Sequence, residues 1–328
     1  MSGLFLESRL KYFTMQKTGI GNSHAKIIMI GEHSVVYGQP AIALPLPNVT
    51  TKVVITDNHD HQQLVQSRYF NGPLNQLPNQ MAGIQKLIYQ LAKHFQGEND
   101  YWTMTITSDI PAERGMGSSA ACAVAIVRAM FDYYNTPLDR QSLLQWADIE
   151  EQVTHRSPSG LDAATVSSSR PVWFHKGEKG TQIDLNLDAT MVIGDTGIKG
   201  ATREAITTVK NNLQIHHDET SQLIQHLGKL TEDSKTAISN NEVGALGEKL
   251  TAAHHDLSQL GVSDNKLDSL VKAALNNGAL GAKLTGGGRG GCMFAITKSA
   301  LGARKIASIL KDHGATATWI QPFNKGES

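Results

Sequence analysis

"AKIIMIG" (25–31) is a short apolar run that stops at a glycine, the pattern of a buried strand followed by a turn. "VTTKVVIT" (49–56) predicts a second strand, and "YWTMTIT" (101–107), rich in β-branched and aromatic residues, a third. Between them Met81, Ile84, Leu87, Ile88, Leu91 and Phe95 fall on one face of a helix. The spacing predicts another helix from near Gly117 to about Tyr134, and one from roughly Asp139 to Val153. From Ala201 to about Asn276 the pattern is mostly helical, with short polar breaks. There follow "GAKLT", a glycine cluster, the strand "CMFAIT", a helix from about Ser299 to His313, and "ATATWI". Strands and helices mingle in both halves without a steady βαβ alternation. That predicts an α+β fold of two lobes, residues 1–195 and 196–328, meeting near Asp195 to Gly200.

Composition narrows the function classes. At 328 residues the chain exceeds one typical single-core domain and suits two lobes. Lys+Arg and Asp+Glu are equal at 30 each, which argues against a nucleic-acid binder working by broad phosphate neutralisation. No uninterrupted apolar stretch reaches membrane-spanning length, so no membrane partner is expected. Cys122 and Cys292 are too few for a disulfide scaffold or a cysteine zinc site, and read as buried free thiols of a reducing compartment. The start "MSGLFLESRLKYFTM" has neither a sustained apolar core nor a small-residue cleavage pattern. It reads as a short extension, with Met15 an alternative start, on a cytoplasmic protein.

Three clusters carry candidate chemistry. In "PAERGMGSSAACAVAIV" (111–127) a strand, a Gly-x-Gly turn and a helix follow one another. The first turn of a helix leaves backbone N–H groups unpaired and carries partial positive charge. Glycines let a phosphate approach those groups, and Ser118 and Ser119 add hydroxyls for phosphate or a metal ion. A serine-capped helix packed closely on a sheet explains the same residues. The Lys-Ser/Thr pair of a Walker A loop is missing.

The second cluster, "LTGGGRGGCMFAI" (284–296), contains a formal G-x-G-x-x-G at Gly286, Gly288 and Gly291. It runs into a strand instead of a helix, which excludes a dinucleotide fingerprint and leaves a tight or mobile loop close to something. The third, "IEEQVTHRSPSGLDAAT" (149–165), sets Glu151 and His155 four apart, with Asp162 on an irregular segment after Pro158. A zinc site lacks a second histidine at useful spacing. A carboxylate pair divided between a cation and a nucleophile, or a solvated helix end, remains. His216, His217, His254 and His255 lie in polar helical stretches and are expected to face solvent.

Taken together, "HAKIIMIGEHSVVYGQPAIALPL" (24–46), "PAERGMGSSAA" (111–121), "HRSPSGLDAA" (155–164) and "KLTGGGRGGC" (283–292) resemble the galactokinase, homoserine, mevalonate and phosphomevalonate kinase (GHMP) superfamily in order and approximate spacing. Within it "AKIIMIGEHSVVYG" and "SPSGLD" are most similar to the mevalonate kinases. The resemblance implies two α+β lobes with the active site in the cleft between them. It also implies ATP-dependent phosphorylation of mevalonate at its primary hydroxyl, giving 5-phosphomevalonate and ADP, and a homodimer.

By the same resemblance Glu113, Arg114, Gly115, Met116, Gly117, Ser118, Ser119 and Ala120 wrap the nucleotide phosphates, and Gly286, Gly287 and Gly288 close the site beside them. Ser119 and Glu151 ligate Mg²⁺; Asp162 is the catalytic aspartate and Lys26 its lysine partner; Glu32, His33, Asp162 and Thr202 line the acceptor pocket. A carboxylate beside a primary hydroxyl can accept or orient its proton, while a neighbouring ammonium steadies charge on the transferring phosphoryl group. Three departures stand out. Glu113 and Arg114 replace small residues and either narrow the loop or add charge; Arg289 interrupts the second glycine run, to contact phosphate or point to solvent; and Asp195-Thr196 stand where relatives show a similar segment, followed by Thr202 and Arg203, which would reach the acceptor.

Two alternatives compete with this reading. A phosphomevalonate or homoserine kinase is one, and the first would need extra cations at its acceptor pocket. The segment from Gly31 to Ala43 offers neither lysine nor arginine. A nucleotide-binding module without catalysis is the other, and it has no requirement for Lys26, Glu151 and Asp162 together.

Overall fold

A computed structural model describes residues 17–154, 160–178 and 180–323. The N-terminal extension with Met15, and His155 and Pro158 of the third cluster, lie outside the described residues. The chain opens with β1 (Thr18–Ile30), which pairs antiparallel with the long β2 (Ala41–Asp57) from Thr18↔Thr56 to Ile30↔Ile42. The hairpin of β3 (Gln63–Ser67) and β4 (Phe70–Pro73) then leads into α1 (Ala82–His94) and β5 (Trp102–Ser108). Next come α2 (Ser118–Tyr133), α3 (Arg140–Thr154), α4 (Leu161–Val166), β6 (Val172–Phe174) and β7 (Thr181–Gln182). The first sheet runs β4-β3-β5-β2-β6-β7, with β1 on β2.

β8 (Thr190–Asp195) begins the second sheet, and the helical stretch resolves into α5 (Thr202–Ile215), α6 (His217–Ser239), α7 (Val243–Gln259) and α8 (Asn265–Asn276). β9 (Gly281–Thr285), β10 (Cys292–Thr297), α9 (Ala300–Asp312) and β11 (Ala317–Pro322) complete it, in the order β11-β8-β10-β9. The expected lobe boundary after Asp195 falls at the end of β8, a strand that itself pairs with β10 and β11 of the second sheet.

α2 is apolar around most of its circumference, from Ala120 to Met130, and such a helix must be covered on every side. β1, β2, α1 and α3 cover it. The approach to β1 is very close, since a Cβ built on Gly21 would fall 1.9 Å from the Ala125 carbonyl oxygen. Small residues on both elements thus set the middle of α2 against the first part of β1. A contiguous buried cluster runs from Ile27 and Met29 under the first sheet to Phe294 and Leu310 under the second. A smaller one, Val35, Ala41, Ala43, Leu161, Val172 and Phe174, anchors α4 through Leu161. Among the described residues no helix is long and apolar enough to cross a membrane.

Candidate active site

β1 carries Lys26 into the gap between α2 and α4. Its ammonium lies 2.8 Å from Asp162 Oδ1, with Lys26 almost wholly buried and Asp162 32% exposed. The Lys26 backbone N–H donates to Met116 O at 3.0 Å, tying the first glycine loop to the strand. Gly117 then begins α2 with φ 74°, in the left-handed region that a side chain disfavours. A Cβ there would lie 2.8 Å from Lys26 Cγ and 3.1 Å from Val166 Cγ1. The glycine is therefore required by the lysine stem that crosses it. The N-cap of α2 is Gly117, not a serine, and among the described residues it makes no side-chain capping hydrogen bond, which disfavours the serine-capped explanation. Ser118 and Ser119 are half-buried at that turn, and Ala120 is buried behind them.

The two glycine clusters meet. A Cβ on Gly286 would sit 3.0 Å from Gly115 Cα, and both residues have positive φ, 79° and 77°. The second cluster links the antiparallel strands β9 and β10, which agrees with rejecting the dinucleotide fingerprint. A third segment locks on to both: Gly200 N–H donates to Glu113 O at 2.9 Å, Ala201 N–H to Gly288 O at 3.2 Å and Gly291 N–H to Ile198 O at 2.8 Å. Thr202 opens α5 beside Gly287, where a Cβ would fall 2.0 Å from Thr202 Oγ1.

The charged departures take structural partners. Arg114 donates through Nε to Asp195 Oδ1 at 2.9 Å and through its terminal nitrogen to Gly197 O at 3.0 Å. Glu113 pairs with Lys199 at 2.5 Å on the surface. Arg289 is half-buried, and its Nε donates to Gly261 O at 3.1 Å.

Glu32 and His33 follow β1, both buried. His33 has φ 62°, and its Nε2 is 3.0 Å from Gly287 O. Burial lowers its pKa to about 4, so the neutral ring donates from Nε2 to that carbonyl. Glu32 Oε1 forms an ion pair with the ammonium of Lys283, a residue of β9 that is fully buried. Desolvation raises the Glu32 pKa, opposed by Lys283 and Lys26. The cation missing from the segment 31–43 thus arrives from far along the chain, already committed to a carboxylate. Inspection of the local segment missed Lys283; the available signal was one lysine in the buried run "GAKLT" directly before the glycines.

His254 also departs from expectation. It is buried against β9, accepts from Leu284 N–H at Nδ1 (3.4 Å) and approaches Asp268 through Nε2 at 3.2 Å. His216, His217 and His255 are exposed as expected. Burial lowers the His254 pKa to about 4, with Asp268 opposing. Both buried histidines stay neutral when folded and take a proton near their ordinary value of 6.5 when unfolded. The unfolded state therefore binds more protons between those limits, and stability falls as pH drops from 6.5 towards 4. Thermal unfolding across that window should show the fall, with a shallower slope in His254→Gln; identical slopes contradict the assignment.

Glu151 is buried at the end of α3, and Gly160 N–H donates to its Oε1 at 3.4 Å. α3 packs on α2, whose first turn carries Ser119. A hydroxyl and a carboxylate are hard oxygen donors, which fit Mg²⁺. Among the described residues no cluster of three or more His, Cys, Asp or Glu can hold a metal by itself. Cys292 is buried and Cys122 half-buried, both free; burial, with Glu150 adding, pushes the Cys122 thiol up to about 12.

Residues 84–169 match the family model of the GHMP kinases N terminal domain, and 234–316 that of the GHMP kinases C terminal. The mevalonate kinase of Thermococcus onnurineus (strain NA1) is 32% identical over 299 residues, covering 84% of this chain and 88% of the relative. The chain belongs to the mevalonate kinase family. The crystal structure of mevalonate kinase from methicillin-resistant Staphylococcus aureus MRSA252 is 32% identical, with TM-score 0.73 over 94% of this chain and 99% of that one. That of L. major mevalonate kinase in complex with R-mevalonate is 25% identical, with TM-score 0.80 over 94% and 97%. The two-lobed α+β fold is thus that of the mevalonate kinases.

Proposed function

We propose that the protein transfers the γ-phosphoryl group of ATP to the primary hydroxyl of mevalonate, giving 5-phosphomevalonate and ADP, in the cytoplasm. One observation carries the mechanism: the stem of Lys26 crosses the glycine before α2 and its buried ammonium lies 2.8 Å from Asp162. An acid and an amine therefore stand beside a helix N-terminus whose bare N–H groups suit the phosphate tail.

The roles follow from that placement. The amides of Gly115 to Ser119 seat the phosphates, with Met116 and Ala120 packed behind them, and Gly286 to Gly288 shape the opposite side. Asp162 accepts or orients the proton of the acceptor hydroxyl, and Lys26 steadies charge on the phosphoryl group in flight. Glu32, His33 and Thr202 border the acceptor. Ser119 and Glu151 would hold Mg²⁺, which when bound neutralises charge on the phosphate oxygens. Little else is needed, because phosphoryl transfer rests mainly on positioning and electrostatics.

Purified protein with ATP, Mg²⁺ and a panel of mevalonate, phosphomevalonate, homoserine and galactose tests the reading. ADP release with mevalonate alone is expected; release with another acceptor, or with none, contradicts it. Ser119→Ala should raise the Mg²⁺ concentration needed for half-maximal rate by about tenfold, with acceptor KM within about twofold. Equal shifts in both would make Ser119 a structural residue of the helix start.

A further inference from the structure

The ion pair of Glu32 and Lys283 is costly for a protein to keep. Lys283 is 0% and Glu32 2% exposed, so both charges have left water. Replacing such a buried pair by apolar residues is often neutral or stabilising, so stability alone does not account for it. Its geometry is specific. Lys283 spends its ammonium on Glu32 Oε1 and on Leu284 O at 2.7 Å, with the Phe294 ring 5.6 Å away. Glu32 Oε2 is buried and has no hydrogen-bond partner among the described residues. A buried carboxylate oxygen without a donor is expensive, and a ligand hydroxyl is the complementary group.

The surroundings place Glu32 beside the site. Lys26 acts electrostatically on Glu32, and the neighbouring His33 donates to the second glycine loop. The strand that precedes Glu32 and the strand that carries Lys283 are fastened together nearby: Ile28 N–H donates to Thr285 Oγ1 at 3.1 Å, and that hydroxyl donates to Ile28 O at 2.8 Å. Lys283 therefore sits on the second sheet and reaches across to a group on the first.

We propose that Lys283 is a positioning residue for the acceptor: it fixes the Glu32 carboxylate with one oxygen occupied and presents the other to a hydroxyl of the acceptor alcohol. This deepens the proposed kinase reaction and rests on it. Lys283 itself touches no substrate, so its influence passes entirely through Glu32.

A double-mutant cycle of Lys283→Met and Glu32→Gln, read by acceptor KM, ATP KM and kcat, tests the claim. Lys283→Met should raise acceptor KM at least about tenfold with ATP KM within about twofold, a split that general loosening of the fold would not produce. The double variant should match Glu32→Gln alone within about twofold, because nothing is left for Lys283 to position. An unchanged acceptor KM in Lys283→Met, or a double variant showing the product of both single effects, overturns the proposal. Should Lys283→Met fail to fold, the comparison of Glu32→Gln with the double variant, in which no charge is left buried, decides alone. Wild-type turnover of mevalonate is the control. Its absence overturns the kinase reading and this role with it, whereas normal turnover beside a null cycle overturns only the role of Lys283.

Discussion

Asp162→Asn is expected to lower kcat at least about a hundredfold while nucleotide affinity stays within about twofold of wild type. The amide keeps the shape of the side chain and loses both its charge and its ability to take a proton. Leu161 still anchors α4 in its apolar seat, so the segment has no reason to unfold. Asp162 is 32% exposed, and removing its charge leaves the Lys26 ammonium buried without its 2.8 Å partner. Some stability is therefore lost along with turnover, and thermal unfolding of the variant separates the two effects. A fall in kcat of less than about tenfold would show that another group handles the hydroxyl proton.

Gly117→Ala is expected to damage the site directly, by displacing the lysine stem that crosses it. The residue has φ 74°, and the new Cβ would lie 2.8 Å from the Lys26 stem and 3.1 Å from Val166. Left-handed strain costs about 1–2 kcal/mol, and the contact adds to it. Since Lys26 must move to admit the methyl, kcat should fall at least about tenfold, because small misplacements of a reacting group are costly. Gly244→Ala in α7 is the control, with nothing within 4 Å of its Cβ; it should leave kcat unchanged. Equal kcat in both variants would mean that Lys26 is not held where the chemistry occurs.

What the sequence made legible follows the physics of each element. The face Ile84, Leu87, Ile88, Leu91 is buried as its spacing requires, and the small apolar run after Gly117 is a helix covered on all sides. β3, β4 and β6 gave no comparable signal: β3 and β4 are short and of mixed polarity, and β6 is apolar but only three residues long. β8 has an apolar core, "TMVIGD", yet it lies where the lobes were expected to meet, and only its pairing with β10 and β11 assigns it to the second sheet.

The site divides along the same line. Local patterns revealed both glycine loops and the serines at the start of α2, because a helix N-terminus is a property of neighbouring residues. Pairings across the chain did not emerge that way. Lys26 meets Asp162 over 136 positions, a partnership reached only through the family resemblance, and Glu32 meets Lys283 over 251. Burial of His254 is likewise set by β9 packing on α7, which a polar helical stretch does not disclose.

The most direct test of the account is a crystal structure with mevalonate and a non-hydrolysable ATP analogue bound together. The phosphate tail should rest on the amides of residues 115–119, with the mevalonate primary hydroxyl within hydrogen-bond reach of the Asp162 carboxylate. Phosphates seated elsewhere, or a primary hydroxyl turned away from Asp162, would contradict it.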